Sequence, residues 1–179
     1  MKKYKQLLSE LPSNSVVVTF GAFNPPNKGH DLSIKVVKKL AEQTNSANIV
    51  FISSIHDKKN PLDYAKKISY LKTFYPHINF KPYDGDIKRT LASLKTKYKS
   101  VTLVSGEVSS LDDIKIIHVP NPDSDEPIKL ASKGDYNIFK KTLPLLAREL
   151  DGKRLMNDIR IGLGLEPIKE QINLVKDDL

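Results

Sequence analysis

The sequence predicts a doubly wound α/β domain, a parallel sheet covered by helices on both faces, with a helical tail. Three observations predict it. Short β-branched apolar runs recur along the first two thirds of the chain, and segments with helical spacing of apolar residues lie between them. The length, 179 residues with 39% hydrophobic and 28% charged side chains, suffices to bury one full core. Strands alternating with helices at this spacing pair in parallel through right-handed crossovers.

The elements follow in order. Residues 15–20 are a β-branched run ending at Gly21, which reads as a buried strand. After Gly29, Leu32, Val36 and Leu40 with Ile34, Val37 and Ala41 make an apolar helical stripe. Residues 48–54 read as a second buried strand. Asn60 then suits a helix N-cap with Pro61 at the first helical position, and Ala65, Ile68 and Leu71 line the inner face before Tyr75 and Pro76 stop it. Residues 78–80 are a short third strand, and Ile87, Leu91, Leu94 and Tyr98 define a third helix. Residues 101–104 and 114–119 are the fourth and fifth strands, closed by Ser105 and Gly106 and by Pro120, Asn121 and Pro122. Residues 120–126 read as a flexible loop. The C-terminal third reads as helices over 136–143 and from Leu145 to about Gly162. One domain, residues 1–179, is expected, with a core over about 15–143 and a helical tail over about 144–179.

Composition excludes several classes. No cysteine is present, which removes disulfides, thiolate metal sites and cysteine nucleophiles together and fits a reducing cytoplasm. No run approaches the roughly 18 apolar residues of a membrane span, and the N-terminus lacks a signal-peptide core. The four histidines, His30, His56, His77 and His118, show no metal-ligand spacing, so no metal site held by the protein alone is expected. Acidic pairs and clusters at Asp112 and Asp113 and at Asp123, Asp125 and Glu126 suit solvated loops better than a cage. Ser105 and Gly106 lack the nucleophile-elbow pattern.

The net charge of +8 is unevenly placed. Residues 1–100 carry 18 basic against 7 acidic side chains, the rest 11 against 14. A basic half attracts polyanions. Few aromatics interleave with the lysines and no nucleic-acid-binding signature is present, so a solvated lysine surface is favoured over a nucleic-acid footprint. Lys140, Lys141, Lys153 and Arg154 read as exposed helix faces.

In a doubly wound sheet, ligands bind beyond the carboxyl ends of the strands near the switch point. The loop there runs from Gly21 through Asn24, Pro25 and Pro26 to Gly29 and His30. It has neither phosphate-loop nor dinucleotide-fingerprint spacing. It offers a helix start, whose amides and dipole favour an anion, and a histidine able to donate to a phosphate. A histidine at such a position also serves as a cap or packing residue.

Residues 19–30 resemble the signature loop of the nucleotidyltransferase superfamily with a His-x-Gly-His or Thr-x-Gly-His motif, which includes cytidylyltransferases and adenylyltransferases. The pattern of Gly, Phe, Asn-Pro and then the tetrad is met by Gly21, Phe23, Asn24 and Pro25, and Asn27, Lys28, Gly29 and His30. Asp57, Lys58, Lys59, Asn60, Pro61 and Leu62, with Lys67, Tyr70, Leu71, Phe74, Tyr75 and Pro76, are similar to bacteriophage-encoded members. The resemblance covers about residues 15–165. It implies a Rossmann-like three-layer α/β/α fold with strand order 3-2-1-4-5, and transfer of a nucleotidyl group from ATP or CTP to a small phosphorylated acceptor with Mg²⁺ and release of pyrophosphate.

Residue by residue, the resemblance implies catalytic roles for His30, Asn27 and Lys133. Phe20, Gly21, Ala22, Phe23, Gly29, Gly106 and Ser132 would cradle the nucleotide, and Lys58 or Lys59 would hold the acceptor phosphate. The chain departs from the pattern at three places. Asn27 replaces the first His or Thr of the tetrad. Ser105, Gly106 and Glu107 stand where many relatives have Gly-Ser-Asp. The late motif, a helix start whose cations grip the β and γ phosphates, is reduced to Ser132 and Lys133 without its arginine. These departures support an alternative, a catalytically degenerate fold used as a binding or structural module, for instance in a phage particle. The partners expected are therefore an NTP and a small phosphorylated substrate, with no membrane, in a host cytoplasm or a virion. The tail leaves open packing on its own sheet or on a neighbouring subunit.

Overall fold

The computed structural model describes residues 14–120 and 125–168. The basic start at Met1, Lys2 and Lys3, the acidic Asp123 and the last eleven residues lie outside them. Five strands form one sheet, β1 (Ser15–Gly21), β2 (Ala47–Ser53), β3 (Phe80–Tyr83), β4 (Ser100–Ser105) and β5 (Lys115–His118). All neighbours are parallel and the order is β3-β2-β1-β4-β5, as expected. Helices α1 (Lys28–Thr44), α2 (Tyr64–Phe74) and α3 (Ile87–Lys95) connect the first four strands. The C-terminal third contributes α4 (Glu126–Lys133), α5 (Tyr136–Phe139), a 3₁₀ turn over Lys140–Thr142, α6 (Leu145–Leu150) and α7 (Gly152–Gly162).

The sheet is apolar on both faces because both are covered. On one, Val17, Val50, Ile52 and Val104 pack with Ile34, Val37 and Ala41 of α1 and Leu71 of α2. On the other, Val16, Val18, Ile49, Phe51, Val101 and Leu103 pack with Leu91 and Leu94 of α3. A third cluster lies off the sheet, where Tyr70 and Phe74 of α2 meet Ala131, Phe139, Leu143, Ala147, Leu155, Met156 and Ile159. The tail therefore packs on α2, α4 and α5 rather than on the sheet.

Several local expectations are corrected. Helix α2 begins three residues later than expected, at the Asp63 cap, whose carboxylate accepts the Lys66 N–H at 2.8 Å. Asn60 is drawn away by Asp57, whose Oδ1 accepts its backbone N–H at 2.8 Å and its side-chain amide at 2.9 Å. Pro61 precedes the helix instead of opening it. The buried face of α2 is Lys67, Tyr70, Leu71 and Phe74, and Ala65 is exposed. Leu32 of α1 also points outward. Strand β3 runs through Pro82, which an edge strand tolerates because it has one neighbour only. The expected tail helix breaks at Asp151 and Gly152, where a Cβ on Gly152 would meet the Tyr136 hydroxyl.

The largest correction is α4. Residues 121–124 of the expected loop lie outside the described residues, while Glu126 and the late-motif residues Ser132 and Lys133 belong to one helix, with Pro127 in its first turn and Gly134 capping its end. Ser132 and Lys133 thus end a helix and do not start one. The Ser132 hydroxyl donates back to Lys129 O at 2.8 Å, and Arg160 Nη1 donates to Ala131 O and Ser132 O at 2.9 and 2.8 Å.

Asn24 ties the fold to the site. Buried at 6% exposure, it donates from Nδ2 to Leu62 O and accepts the Leu62 N–H at Oδ1, both at 2.9 Å. The loop after β1 is thereby fastened to the segment before α2; the Asn24-Pro25 peptide is cis. Asn24→Ala orphans both polar groups of buried Leu62, at about 1–3 kcal/mol each. A fall in Tm of roughly 5–10 °C is expected by calorimetry.

Candidate functional site

A cleft of about 330 Å³ opens over the carboxyl ends of β1 and β4, where the strand order reverses. Its floor is Thr19, Phe20, Gly21 and Ala22 from β1 and the turn after it. One side carries Tyr83 and Ile87, the other Val119 and Ile128, and Lys59 and Asn60 lie along the rim with Ser105, Gly106 and Glu107.

The expected residues divide clearly. Phe20, Gly21, Ala22, Asn27, Gly29, His30, Lys59 and Gly106 line the cleft. Phe23, Lys58, Ser132 and Lys133 are absent from its walls. Phe23 is corrected most plainly. At 1% exposure it belongs to the core, with its ring stacked on that of His30 at 4.4 Å between centroids. Gly21 permits this, since a Cβ there would come within 2.8 Å of the Phe23 ring.

Asn27 and His30 form a reciprocal cap on α1. Asn27 Oδ1 accepts the Gly29 and His30 N–H groups, both at 3.0 Å, and the Asn27 N–H donates to His30 Nδ1 at 3.2 Å. Asn27, expected as a catalytic donor, therefore presents its carbonyl to the helix. Two of the amides that a helix start offers an anion are already occupied.

The same cap fixes the imidazole. A nitrogen that accepts a backbone N–H is unprotonated, so the neutral ring carries its proton on Nε2. The half-buried ring lines the cleft, and desolvation pushes its pKa down to about 4. Near neutrality His30 is thus an uncharged Nε2–H donor.

The linked pH effect follows. The unfolded chain takes up this proton near pH 6.5 and the folded chain near 4. Between those values the unfolded state binds more protons, so stability falls as pH drops, by up to about 1.4 kcal/mol per pH unit. His30→Gln keeps a cap acceptor but removes the titration. Stability measured from pH 7 to 4 is expected to show a shallower acid limb in His30→Gln than in the parent.

The charged side chains lining the cleft are Lys59, Glu107 and Asp125. The Glu107 carboxylate and, above all, burial push the Tyr83 phenol up, so Tyr83 stays protonated. Ser105 Oγ accepts the Glu107 and Val108 N–H groups at 3.1 Å, which turns the chain sharply after β4. Among the described residues no three His, Asp or Glu side chains converge as a metal cage. The walls from Tyr83, Ile87, Val119 and Ile128 escape a local reading because they converge only when β3 and β5 take opposite edges of the sheet.

The fold is similar to that in the crystal structure of a macrolide-efflux protein from Streptococcus pneumoniae. The identity is 16% and the TM-score 0.52, over 75% of this chain and 57% of that one. The chain thus spans just over half the length of that protein, and the likeness is one of fold. No family model and no curated protein matches the chain. No helix among the described residues is long and apolar enough to cross a membrane.

Proposed function

We propose that this protein is a nucleotidyltransferase, transferring a nucleotidyl group from ATP or CTP to a small phosphorylated acceptor with release of pyrophosphate. The observation that carries this reading is His30, an uncharged Nε2–H donor held at the start of α1 in a cleft at the sheet's switch point.

The chemistry asks little more of the chain than placement. An acceptor phosphate oxygen attacks the α-phosphorus; as that P–O bond forms, the bond to the oxygen bridging to the β-phosphate breaks. Pyrophosphate leaves with the electron pair, and no side chain becomes covalently attached. Charge shifts onto phosphate oxygens, and a donor already fixed there favours the transition state. His30 supplies that donor, and Lys59 holds the acceptor phosphate. Gly21, Gly29 and Gly106 let the nucleotide approach the main chain closely. In the relatives the late cation belongs to a helix start. The helix that starts beside this cleft is α4, and it and its cap bring Asp125 and Ile128 to the lining but no cation.

Mg²⁺ bound with phosphates needs only one or two carboxylates from a protein, and Glu107 and Asp125 line the cleft to provide them. When bound, the ion would neutralise charge on the phosphates.

The second reading is a nucleotidyltransferase-like fold kept as a binding or structural module. It is favoured by Asn27, which occupies the Gly29 and His30 amides with its own carbonyl. Thermal unfolding with each of the four NTPs and Mg²⁺ tests the proposal. A ligand at ~100 times its Kd adds about 2.7 kcal/mol, or roughly 5–10 °C in Tm. Such a shift with ATP or CTP is expected, and no shift at millimolar nucleotide would contradict nucleotidyl transfer and leave the second reading.

A further inference from the structure

Among the described residues, Lys67 of α2 is the only fully buried charged side chain, at 0% exposure. Its ammonium meets no carboxylate of the described residues directly. Nζ donates to two main-chain carbonyls, Ser53 O at 2.6 Å and Ile55 O at 3.1 Å. Asp63 and Asp57 favour its charge from farther off, while burial holds its pKa down to about 8. An ammonium placed in a core is costly, and an apolar side chain of equal length would fill the same space. What the charge adds is a grip on the end of β2.

That grip has a consequence for the cleft. Ser53 is the last residue of β2, and Ile55 is the second residue of the loop after it. Four residues beyond Ile55 come Lys59 and then Asn60, both on the rim of the cleft. Asp57 Oδ1 closes this turn by accepting the Lys59 and Asn60 N–H groups, both at 2.8 Å. Asn24 then fastens Leu62. The loop is thus anchored at both ends, and Lys67 is the anchor at its start.

We propose that Lys67 is a positioning residue, pinning the exit of β2 so that the 54–60 loop holds Lys59 against an anionic group in the cleft. The identity of that anion rests on the nucleotidyl-transfer reading, while the loop's geometry does not.

Two measurements test the proposal, with Lys67→Met as the variant and Lys67→Gln as its substitute if the first does not fold. Amide hydrogen exchange is read first. The Lys59 and Asn60 amides are expected to exchange about tenfold faster, with Val50 and Phe51 in β2 unchanged. Unchanged Lys59 and Asn60, or an equal acceleration across the sheet, overturns the role. Affinity for inorganic phosphate, the probe of the acceptor-phosphate position, is read second, in the parent, the variant, Lys59→Ala and the double variant. Lys67→Met and Lys59→Ala are each expected to weaken binding several-fold, and the double variant to be no weaker than Lys59→Ala. Additive losses mean that Lys67 does not act through Lys59 and overturn the proposal. If the parent binds no inorganic phosphate, the acceptor-phosphate role given to Lys59 fails, and hydrogen exchange alone decides the part played by Lys67.

Discussion

His30→Ala is expected to lower the rate of nucleotidyl transfer by ~10²–10³ and to remove most of the NTP-induced rise in Tm. The magnitude is that of one fixed donor lost from a developing oxyanion, about 3–4 kcal/mol. The donor is fixed because Nδ1 is engaged by the Asn27 N–H and the ring lies on Phe23. The alanine variant also loses half of the reciprocal cap and the ring contact, so its own Tm without ligand sets the baseline. Comparison with His30→Gln separates the two effects. Glutamine retains a cap acceptor at this helix position and carries an amide N–H, but on a flexible side chain and not on a ring held against Phe23. Both variants are expected to be slow, with glutamine the more stable. Parent-like turnover in His30→Ala would remove His30 from the chemistry.

Gly162→Ala is expected to lower Tm although glycine to alanine in a helix ordinarily raises stability. Propensity alone favours alanine by about 1 kcal/mol. Here, however, an added Cβ would stand 2.0 Å from Pro61 O and 2.8 Å from Pro61 C. Both are main-chain atoms and cannot swing aside. Either α7 lifts, which strains Leu155, Met156 and Ile159 in the third core cluster, or the Pro61 segment moves and pulls on the Asn24 clamp. Overpacking of this kind costs about 1–3 kcal/mol and occasionally more, so the net loss is a few degrees in Tm. Nucleotide affinity is expected to fall with it, since Asn24 belongs to the loop that places His30. An unchanged or higher Tm would show that α7 does not bear on Pro61.

How far the sequence discloses this molecule depends on the range of the forces involved. Strands β1, β2 and β4 were legible because both of their faces are buried, which forces continuous runs such as Val16, Val17 and Val18. The order of strands came with the resemblance and not from periodicity. The start of α2 misled because Asn60 and Pro61 form a sound local cap signal, which Asp57 and Asn24 override by tertiary hydrogen bonds. Helix α4 was hidden by an acidic, proline-containing start, although Pro127 and Gly134 mark its two ends in hindsight. Within the site, His30 and Gly29 were visible from their place after a strand. The tautomer of His30, the burial of Phe23 and the anchoring part of Lys67 depend on contacts the sequence does not display. Asn27 illustrates the limit well. Its place at the start of α1 was legible, but a cap and a ligand compete for the same carbonyl and amides, and the folded geometry gives them to the cap.

The proposed cleft transfers a nucleotidyl group and does not merely hold a nucleotide. The most direct measurement is pyrophosphate release from ATP and from CTP with Mg²⁺, across a panel of small phosphorylated acceptors, for the parent and His30→Ala. Release is expected to depend on both one nucleotide and one acceptor and to fall ~10²–10³ in the variant. Nucleotide binding without acceptor-dependent release would contradict it and leave the fold as a binding module.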